Sequence, residues 1–459
     1  MRSFTAMCRI WKVYTTAVIA CFVWTAGLRA AAPEYRAGVA AVEITPREPI
    51  RLSGYGNRSK PSEGVLMPIH TKALAIAHGR GERLVIITTD LIGLPRAITD
   101  MAAARLQQKY ELDRASILFN SSHTHTGPYV RGNLPLLFDI PPGDKAVIDA
   151  YAERLTDALV EVAGRALLDL SPATLAVGHG EARIGINRRQ ATEKGVIIGL
   201  NPGGASDPDV PVLRVTGADG KVRAILFGFA CHNTTLTGEH NQISGDYAGY
   251  AQEALERANP GVTAMFVMLC GADQNPNPRG TTELVKQHGE TMAREVTRVL
   301  GQPMTPVRGA IKTAFRVTEL EFQENDRDTF EARLQDRNAS RVRHAKAMLQ
   351  RIDTGQQIRR YPYPVQAVSF GGKFTLVALG GEVVVDYALR IKREYPGRDV
   401  VVAGYSNDVM AYIPSLRVTR EGGYEVLDSM YYYGLPAPWA ENTEERIMGT
   451  VGSVMKAVR

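Results

Sequence analysis

Short apolar runs alternate with longer amphipathic segments along most of this chain. Runs of four to seven residues predict strands at 38–44, 73–77, 84–88, 117–120, 212–215, 224–229, 263–269, 367–370, 374–379 and 400–403. A helical spacing of apolar residues predicts helices at 97–110, 145–167, 247–257, 282–300, 331–352 and 384–394. Strands that alternate with helices in this way predict an α/β fold with mixed β-sheets flanked by helices.

Two long segments interrupt this alternation. Residues 187–209 are rich in Gly, Pro and Asn, and residues 407–439 are rich in Tyr and Gly. Both are expected to be irregular loops. Because long irregular segments in a compact enzyme usually line its site, these two segments are the first places to look for function.

The first 32 residues differ from the rest of the chain. A basic start precedes an apolar stretch at 13–28, and the sequence RAAAP follows at 29–33. This pattern predicts a secretory signal peptide at 1–32, with a single domain at 33–459 and export to the periplasm or the extracellular space. A permanent membrane anchor is the alternative, but the stretch is short for a span and its flank has the small residues of a cleavage site.

Export changes how the charge and the cysteines are interpreted. The predicted signal peptide holds four Lys or Arg residues and no acidic residue, so the net charge of +6 falls to +2 (6 minus 4) in the remainder. The basic balance therefore gives no reason to expect nucleic acid as a partner. Only Cys231 and Cys270 remain, both in apolar strand-like runs. A disulfide between them and two buried free thiols are both compatible with the sequence.

The most informative motif is SHTHTGP at residues 122–128, directly after the predicted strand 117–120. Two histidines two residues apart on extended backbone point to the same side, so His123 and His125 can face one pocket. Neutral imidazole is a common metal ligand, and the pair therefore indicates half of a zinc site. Two surface or hydrogen-bonded histidines are the simpler alternative.

Other polar residues also follow predicted strands. His232 comes after the strand 224–229, Glu382 after two glycines that end the strand 374–379, and Tyr412 after the strand 400–403. Glu382 is compatible with a ligand and also with a helix N-terminal carboxylate stabilised by the helix dipole. Asp246 is compatible with a carboxylate that orients a ligand histidine and with a helix N-cap.

Taken in order, these segments resemble the neutral (alkaline, non-lysosomal) ceramidase family. The resemblance begins at AGVAAVEITP (37–46) and continues through SHTHTGP (122–128), GINR (185–188), DPDVPVLRV (207–215) and FACH (229–232). It ends at Gly381-Glu382, YIP (412–414) and GYE (423–425), and so extends over nearly the whole chain after the predicted signal. The resemblance implies that family's catalytic fold.

The resemblance also implies a site. It implies one catalytic Zn²⁺ per chain, held by His123, His232, Glu382 and Tyr412. His125 would then serve the chemistry by relaying a proton, while Arg188 and Tyr424 would hold the oxygen of the scissile amide as it gains charge. The implied substrate is an N-acyl sphingoid lipid, cleaved by zinc-activated water. Whether a structural Ca²⁺ or Mg²⁺ is also bound is left open.

Three features depart from the family pattern. Asn275 occupies the position of a serine that has been regarded as important there, and an amide side chain is not a nucleophile, although it can donate a hydrogen bond to the substrate. Only 35 residues follow Tyr424, so the C-terminal β-sandwich domain of longer family members is not expected. No amphipathic anchor or hydrophobic hairpin for membrane substrates is evident.

These departures keep alternatives to a ceramidase open. One is a zinc-dependent esterase or deacylase that acts on a glycan or another polar substrate. Another is a catalytically silent binding protein of the same fold. A phosphate- or sulfate-ester hydrolase, with Asp90 at the end of the strand 84–88, is less favoured because no paired carboxylate cluster for two metals is evident.

Overall fold

The computed structural model describes residues 34–79, 81–436 and 438–459, and the predicted signal peptide lies outside them. The strands are Tyr35–Glu43 (β1), His70–His78 (β2), Glu82–Thr89 (β3), Ile117–Ser121 (β4), Ser171–Glu181 (β5), Gly185–Thr192 (β6), Gly195–Asn201 (β7), Asp209–Gly217 (β8), Val222–Phe229 (β9), Thr263–Met268 (β10), Gln274–Pro276 (β11), Thr305–Val307 (β12), Ile311–Glu321 (β13), Arg360–Phe370 (β14), Phe374–Leu379 (β15), Glu382–Val383 (β16), Asp399–Ala403 (β17) and Tyr412–Ile413 (β18). The helices are Arg96–Tyr110 (α1), Pro142–Leu168 (α2), Asp246–Ala258 (α3), Thr282–Leu300 (α4), Arg327–Arg333 (α5), Ala339–Asp353 (α6), Val385–Glu394 (α7), Leu416–Glu421 (α8), Asp428–Tyr433 (α9) and Thr443–Ala457 (α10).

Two mixed sheets form the centre of the molecule. The larger has nine strands in the order β10-β9-β8-β5-β1-β2-β3-β4, with β12 paired to β5, and the smaller has the order β13-β14-β15-β17. In β15, Leu376 and Ala378 belong to the apolar cluster shared by both sheets, whereas Val377 and Leu379 belong to the cluster shared with α7 and α10. Successive side chains of a strand point to opposite faces of its sheet. Since both sets of β15 side chains are buried, the small sheet is covered on both faces. The predicted α/β class with mixed sheets is confirmed.

The outer faces of both sheets are covered by helices. Helices α1 and α2 pack on one part of the large sheet, and α3 and α4 pack on another. Helices α7 and α10 cover the small sheet. Three parallel pairs, β3–β4, β9–β10 and β15–β17, end at the same edge of this arrangement, which brings the loops that follow them together.

Several predicted elements differ from the observed ones. The segment 187–209 is not an irregular loop but contains most of the β6–β7 hairpin, which turns at Glu193 and Lys194 with Gly195 at a φ of 106°. The helix predicted at 331–352 is two helices, because the Asn338 side chain accepts hydrogen bonds from the N–H groups of Ser340 and Arg341 and starts α6. Strands β5 and β13 and helix α10 were missed.

The hairpin also corrects the expectation that no hydrophobic hairpin is present. Ile197, Ile198 and Leu200 on β7 are each about half exposed, at 50%, 49% and 56%. Strand β7 lies at the edge of the three-stranded sheet β11-β6-β7. Among the described residues, no helix combines the length and the apolar character needed to cross a membrane.

The two cysteines in the described part of the chain are free and buried. Cys231 follows β9 and Cys270 follows β10, so neighbouring strands carry them. Burial raises the pKa of both thiols above the ordinary range, which keeps them protonated and unreactive. Of the two alternatives left open by the sequence, the structure has free thiols.

A histidine ties the two sheets together and makes stability depend on pH. Nδ1 of His179 on β5 lies 2.8 Å from Asp209 on β8, and its Nε2 lies 3.0 Å from Asp399 on β17. These hydrogen bonds, first that to Asp209, raise the pKa of His179 to about 10. The stabilisation is complete below the unfolded pKa of about 6.5 and is lost as the pH rises through 10.

His179→Gln should therefore lower the melting temperature most at pH 6 and progressively less between pH 6.5 and 10. Thermal unfolding followed by circular dichroism at a series of pH values measures this difference. Asp399→Asn, which removes one of the two partners, should give a smaller difference of the same shape. An equal loss of melting temperature at pH 6 and above pH 10 would contradict the linkage.

Candidate metal centre and catalytic cavity

His123 lies just beyond the end of β4 in a conformation that the sequence did not predict. Its φ is 63°, in the left-handed region, so the motif is not extended at this residue. The backbone N–H of His123 donates to the carbonyl of Leu91, and its Nδ1 donates to the carbonyl of Ile92 at 2.7 Å. These two bonds to the loop after β3 hold the strained residue in place and turn Nε2 toward the site.

His232 is held in a similar way just beyond the end of β9, a strand that is not a neighbour of β4 in the sheet. It follows β9 and is fully buried, and its Nδ1 lies 2.9 Å from the carbonyl oxygen of Gly271. Burial, and then the nearby Arg188, lower the pKa of His232 to about 3. Since a carbonyl only accepts, Nδ1 carries a proton in both His123 and His232, and Nε2 of each ring faces the site.

Glu382 and Tyr412 come from the small pair of strands β16 and β18. They are direct partners in this parallel pair, so both side chains leave it side by side. Oε2 of Glu382 lies 3.0 Å from Nε2 of His123 and 3.3 Å from Nε2 of His232. The hydroxyl of Tyr412 lies 3.1 Å from Nε2 of His232. Tyr433 donates a 2.6 Å hydrogen bond to the other carboxylate oxygen and fixes the plane of the carboxylate.

This set of atoms fits a transition metal. Two imidazole nitrogens and Oε2 of Glu382 converge on one another, and Oε2 is fully buried. A buried carboxylate that faces two imidazole nitrogens needs a positive charge among these atoms, which a metal cation or a proton on a ring nitrogen supplies. Two nitrogens with carboxylate and phenol oxygens are donors that suit Zn²⁺.

His125 lies against the same cluster. Its Nε2 is 3.0 Å from Nε2 of His123, and the ligand atoms of His123, His125 and His232 all lie within 4.8 Å of one another. The ring of Tyr55 packs edge-on against it, with ring centroids 4.9 Å apart. Nδ1 of His125 is buried without a hydrogen-bond partner among the described residues. The geometry is therefore compatible with His125 as a proton carrier and also as a third histidine ligand.

Arg188 connects the cluster to the rest of the site. It lies on β6 and is 4% exposed. Its Nη2 donates to the hydroxyl of Tyr412 at 3.1 Å, and its Nη1 lies 3.3 Å from Oδ1 of Asn275. From behind, Glu425 accepts a 3.0 Å bond from Nε of Arg188 and a 2.5 Å bond from Nη1 of Arg189. One buried carboxylate thus holds two buried guanidinium groups.

Tyr424 and Asn275 complete the predicted set. The Tyr424 ring packs edge-on against Tyr412 at a centroid distance of 5.5 Å, and the Arg188 guanidinium lies 5.6 Å from the centre of the Tyr424 ring. Burial raises the pKa of Tyr424, so its hydroxyl is a neutral donor. Oδ1 of Asn275 also lies 3.4 Å from the hydroxyl of Thr234. The structure therefore brings all eight predicted site residues together.

A cavity of about 340 Å³ opens onto this cluster. Six of the predicted residues line it, namely His125, Arg188, Asn275, Glu382, Tyr412 and Tyr424. Its other lining residues include an apolar set, Ile92, Leu134, Leu137 and Ile198, and further tyrosines, Tyr55, Tyr432 and Tyr433. The cavity is therefore neither wholly apolar nor wholly polar.

Sequence reasoning missed Tyr55, Arg279, Glu425 and Tyr433 as parts of this site. Tyr433 lies in the tyrosine-rich segment 407–439, which the sequence predicts to line a site, and Glu425 directly follows Tyr424. Tyr55, between two glycines, and Arg279 carried no usable signal. Among the described residues, Asp246 has no hydrogen bond or ion pair with a histidine: its carboxylate accepts the N–H groups of Thr235, Leu236 and Tyr247, which fixes the loop after His232 and the first turn of α3.

The fold and the site define a class: an α/β protein with a buried histidine–carboxylate cluster suited to a metal, at the floor of a cavity. A family model described as "Neutral/alkaline non-lysosomal ceramidase, N-terminal" matches residues 35–286. The chain belongs to this family, and the resemblance stated from its motifs is confirmed.

Individual relatives agree with this membership. The neutral ceramidase of Pseudomonas aeruginosa is 25% identical over 335 residues, which cover 67% of this chain and 48% of that protein. The neutral ceramidase of Mycobacterium tuberculosis is 25% identical over 50% of this chain and 38% of that protein. The matched part thus spans about half or less of the length of these relatives.

Solved structures share the fold. The crystal structure of the Pseudomonas aeruginosa neutral ceramidase has a TM-score of 0.70 at 21% identity, and the match covers 93% of this chain and 74% of that one. A structure described as a ceramidase complexed with C2 has a TM-score of 0.73 at 21% identity, over 93% and 75% of the two chains. At this identity the likeness concerns the fold alone.

Proposed function

We propose that this chain is an exported, zinc-dependent hydrolase that cleaves an acyl amide, with residues 33–459 as its catalytic unit. The observation that carries the proposal is the convergence of His123, His232 and Glu382 on one point, beside the hydroxyl of Tyr412. Their position at the floor of a cavity gives a substrate access to that point.

In this proposal His123, His232, Glu382 and Tyr412 hold the metal. Bound zinc supplies Lewis acidity, which polarises a carbonyl group and lowers the pKa of a coordinated water. The net reaction breaks the acyl C–N bond: water gives its hydroxyl to the acyl carbon and a proton to the departing amine. The remaining steps fall to side chains of the cavity.

Arg188 is suited to hold the substrate oxygen as it gains negative charge. The guanidinium is always protonated, and Glu425 fixes its direction through Nε. Tyr424, as a neutral phenol beside it, supplies a second donor. His125 lines the cavity, and its buried Nδ1 has no protein partner in the described chain, so His125 is the residue proposed to carry the proton toward the leaving nitrogen.

Asn275 is assigned a binding role in this scheme. Its Oδ1 faces Arg188 and Thr234, so its amide NH₂ remains as a donor for a carbonyl or hydroxyl of the substrate. An amide nitrogen is not a nucleophile under these conditions, so no covalent acyl–Asn275 species is part of the proposal.

The substrate class proposed from the relatives is an N-acyl sphingoid lipid, because the curated relatives are named neutral ceramidases. The apolar residues Ile92, Leu134 and Leu137 offer a surface for an acyl chain. An ester or a glycan-linked acyl group is the second candidate, supported by the polar side chains of Thr234, Asn275 and the tyrosines in the same cavity.

Purified protein should release fatty acid from a fluorescent N-acyl sphingosine, and removal of the metal with 1,10-phenanthroline should abolish the release. Restoring one equivalent of zinc should restore it. Parallel assays with an acyl ester and an acetylated sugar distinguish the second candidate. If neither amides nor esters are turned over in a chelator-sensitive way, the hydrolase proposal fails and a silent binding protein of the same fold is favoured.

A further inference from the structure

A second arginine of the cavity, Arg279, has no carboxylate partner among the described residues. It follows β11 and lines the cavity together with Asn275 and Tyr55. In the described part of the chain its single hydrogen-bond partner is the hydroxyl of Tyr55, 3.1 Å from Nη2. No acidic side chain of the described residues forms an ion pair with it, and it is partly open to the cavity. Four of the five N–H donors of a guanidinium thus have no protein acceptor.

The carboxylates near the cavity are already engaged. Glu382 faces the two imidazoles, and Glu425 accepts from Arg188 and Arg189. Asp246 is buried and accepts three backbone N–H groups. None of these is free to neutralise Arg279, so the positive charge is directed at whatever enters the cavity.

A further cation strengthens the positive potential at this wall. The guanidinium of Arg58 is buried, and within the described part of the chain it donates to the backbone carbonyls of Ser53, His125 and His240. It lies 5.0 Å from the centre of the Tyr55 ring. The ring of Tyr55 therefore contacts Arg58, and its hydroxyl contacts Arg279. The hydroxyl of Tyr55 is itself anchored by donating to the carbonyl of Leu236 at 3.0 Å. Arg279 is thereby held by a rigid neighbour.

We propose that Arg279, held by Tyr55, is the anion-binding part of the substrate site, and that the preferred substrates are acyl amides that carry a carboxylate or a phosphate. This inference rests on the proposed hydrolase function for the site itself. The geometry supports it because a guanidinium with a free edge binds an oxyanion through two parallel hydrogen bonds. The acyl chain and the anion would then occupy the apolar and the basic parts of one cavity.

Two matched pairs of substrates test the inference. N-palmitoylglycine and N-palmitoylethanolamine differ in the carboxylate, and ceramide 1-phosphate and ceramide differ in the phosphate. The wild-type protein should prefer the anionic member of at least one pair by tenfold or more in kcat/KM, since a hydrogen bond to a charged group contributes about 1.5–3 kcal/mol. The pair that responds identifies which anion the site takes.

Arg279→Gln should lower kcat/KM for the anionic substrate by about 10- to 100-fold and leave the neutral one within about threefold. Arg279→Lys should retain part of the preference because it keeps the charge but not the planar fork. Arg316→Gln is the matched control, because Arg316 is exposed, lacks a carboxylate partner among the described residues and does not line the cavity.

Equal kcat/KM for both members of both pairs, or an equal loss for both in Arg279→Gln, overturns the inference. If no amide is cleaved at all, calorimetric titration of the two palmitoyl amides separates the proposals. Tighter binding of N-palmitoylglycine that is lost in Arg279→Gln supports the anion site although the hydrolase proposal has failed. Equal binding of the two amides overturns the anion site as well.

Discussion

Replacing His123 with alanine should lower the zinc content of the purified protein from about one ion per chain to a small fraction of that. The loss removes one of the two imidazoles that converge on Glu382 and leaves a single histidine, a carboxylate and a phenol as the remaining proposed donors. Because changes to supporting groups alone weaken metal sites by 10- to 100-fold, removal of a ligand should weaken zinc binding by more than about a hundredfold. Hydrolytic activity should fall with it.

Zinc content by mass spectrometry and the metal dependence of thermal unfolding provide two readouts that do not need turnover. A chelator should lower the melting temperature of the wild-type protein but leave that of His123→Ala unchanged, because binding to the folded state stabilises it. His240→Ala, a histidine outside the cluster, should behave as the wild type. Full zinc occupancy in His123→Ala would refute the ligand assignment.

Glu425→Ala should be among the most destabilising single substitutions in the site. Glu425 is 1% exposed and is the shared partner of Arg188 and Arg189, which are both 4% exposed. Removal of one partner from a buried ion pair typically costs about 3–5 kcal/mol, because the remaining charge stays buried without compensation. Here Arg188 would lose its carboxylate partner and its fixed direction, while Arg189 would keep Glu421 alone.

Urea unfolding at pH 7 measures this loss of free energy of unfolding. Glu421→Ala is the control, since Glu421 pairs with the same Arg189 at 3.0 Å but is exposed, and it should cost about 0–1 kcal/mol. Glu425→Gln keeps an acceptor for Arg188 and should fall between the two. If Glu425→Ala were as stable as Glu421→Ala, the buried network would not have the energetic role assigned to it.

The sequence predicted the fold class and the candidate site to different depths. Strands such as β3, β9 and β15 are largely continuous apolar runs, and such runs are visible in the sequence without any tertiary information. Strand β13 was missed because exposed residues interrupt its buried ones at irregular intervals, so its sequence has no regular alternation of apolar and polar residues. The β6–β7 hairpin was mistaken for a loop because Gly and Asn suggest irregular backbone, whereas here glycine completes a tight turn.

The candidate ligands were predictable because each belongs to a motif directly after a strand. The residues that orient them were not. Tyr433, which fixes the Glu382 carboxylate, and Arg279, which faces the cavity, come from segments far from their partners in the chain. Tyrosine and arginine are also common on loops, so no residue type or spacing distinguishes these two from solvated side chains. Only tertiary contacts reveal them.

The pairing of β16 with β18 constrains how this chain can change in length over evolution. Each strand is only two residues long, and Glu382 and Tyr412 are exact partners in it. A shift of one residue would present the core residues Val383 and Ile413 to the cavity instead. An insertion in the surface turn at Pro396 and Gly397 leaves this pairing untouched, whereas a single-residue insertion between β17 and β18 would displace Tyr412. We therefore expect homologues to vary in length at the turn at Pro396 and Gly397 and to keep a constant length between β17 and β18.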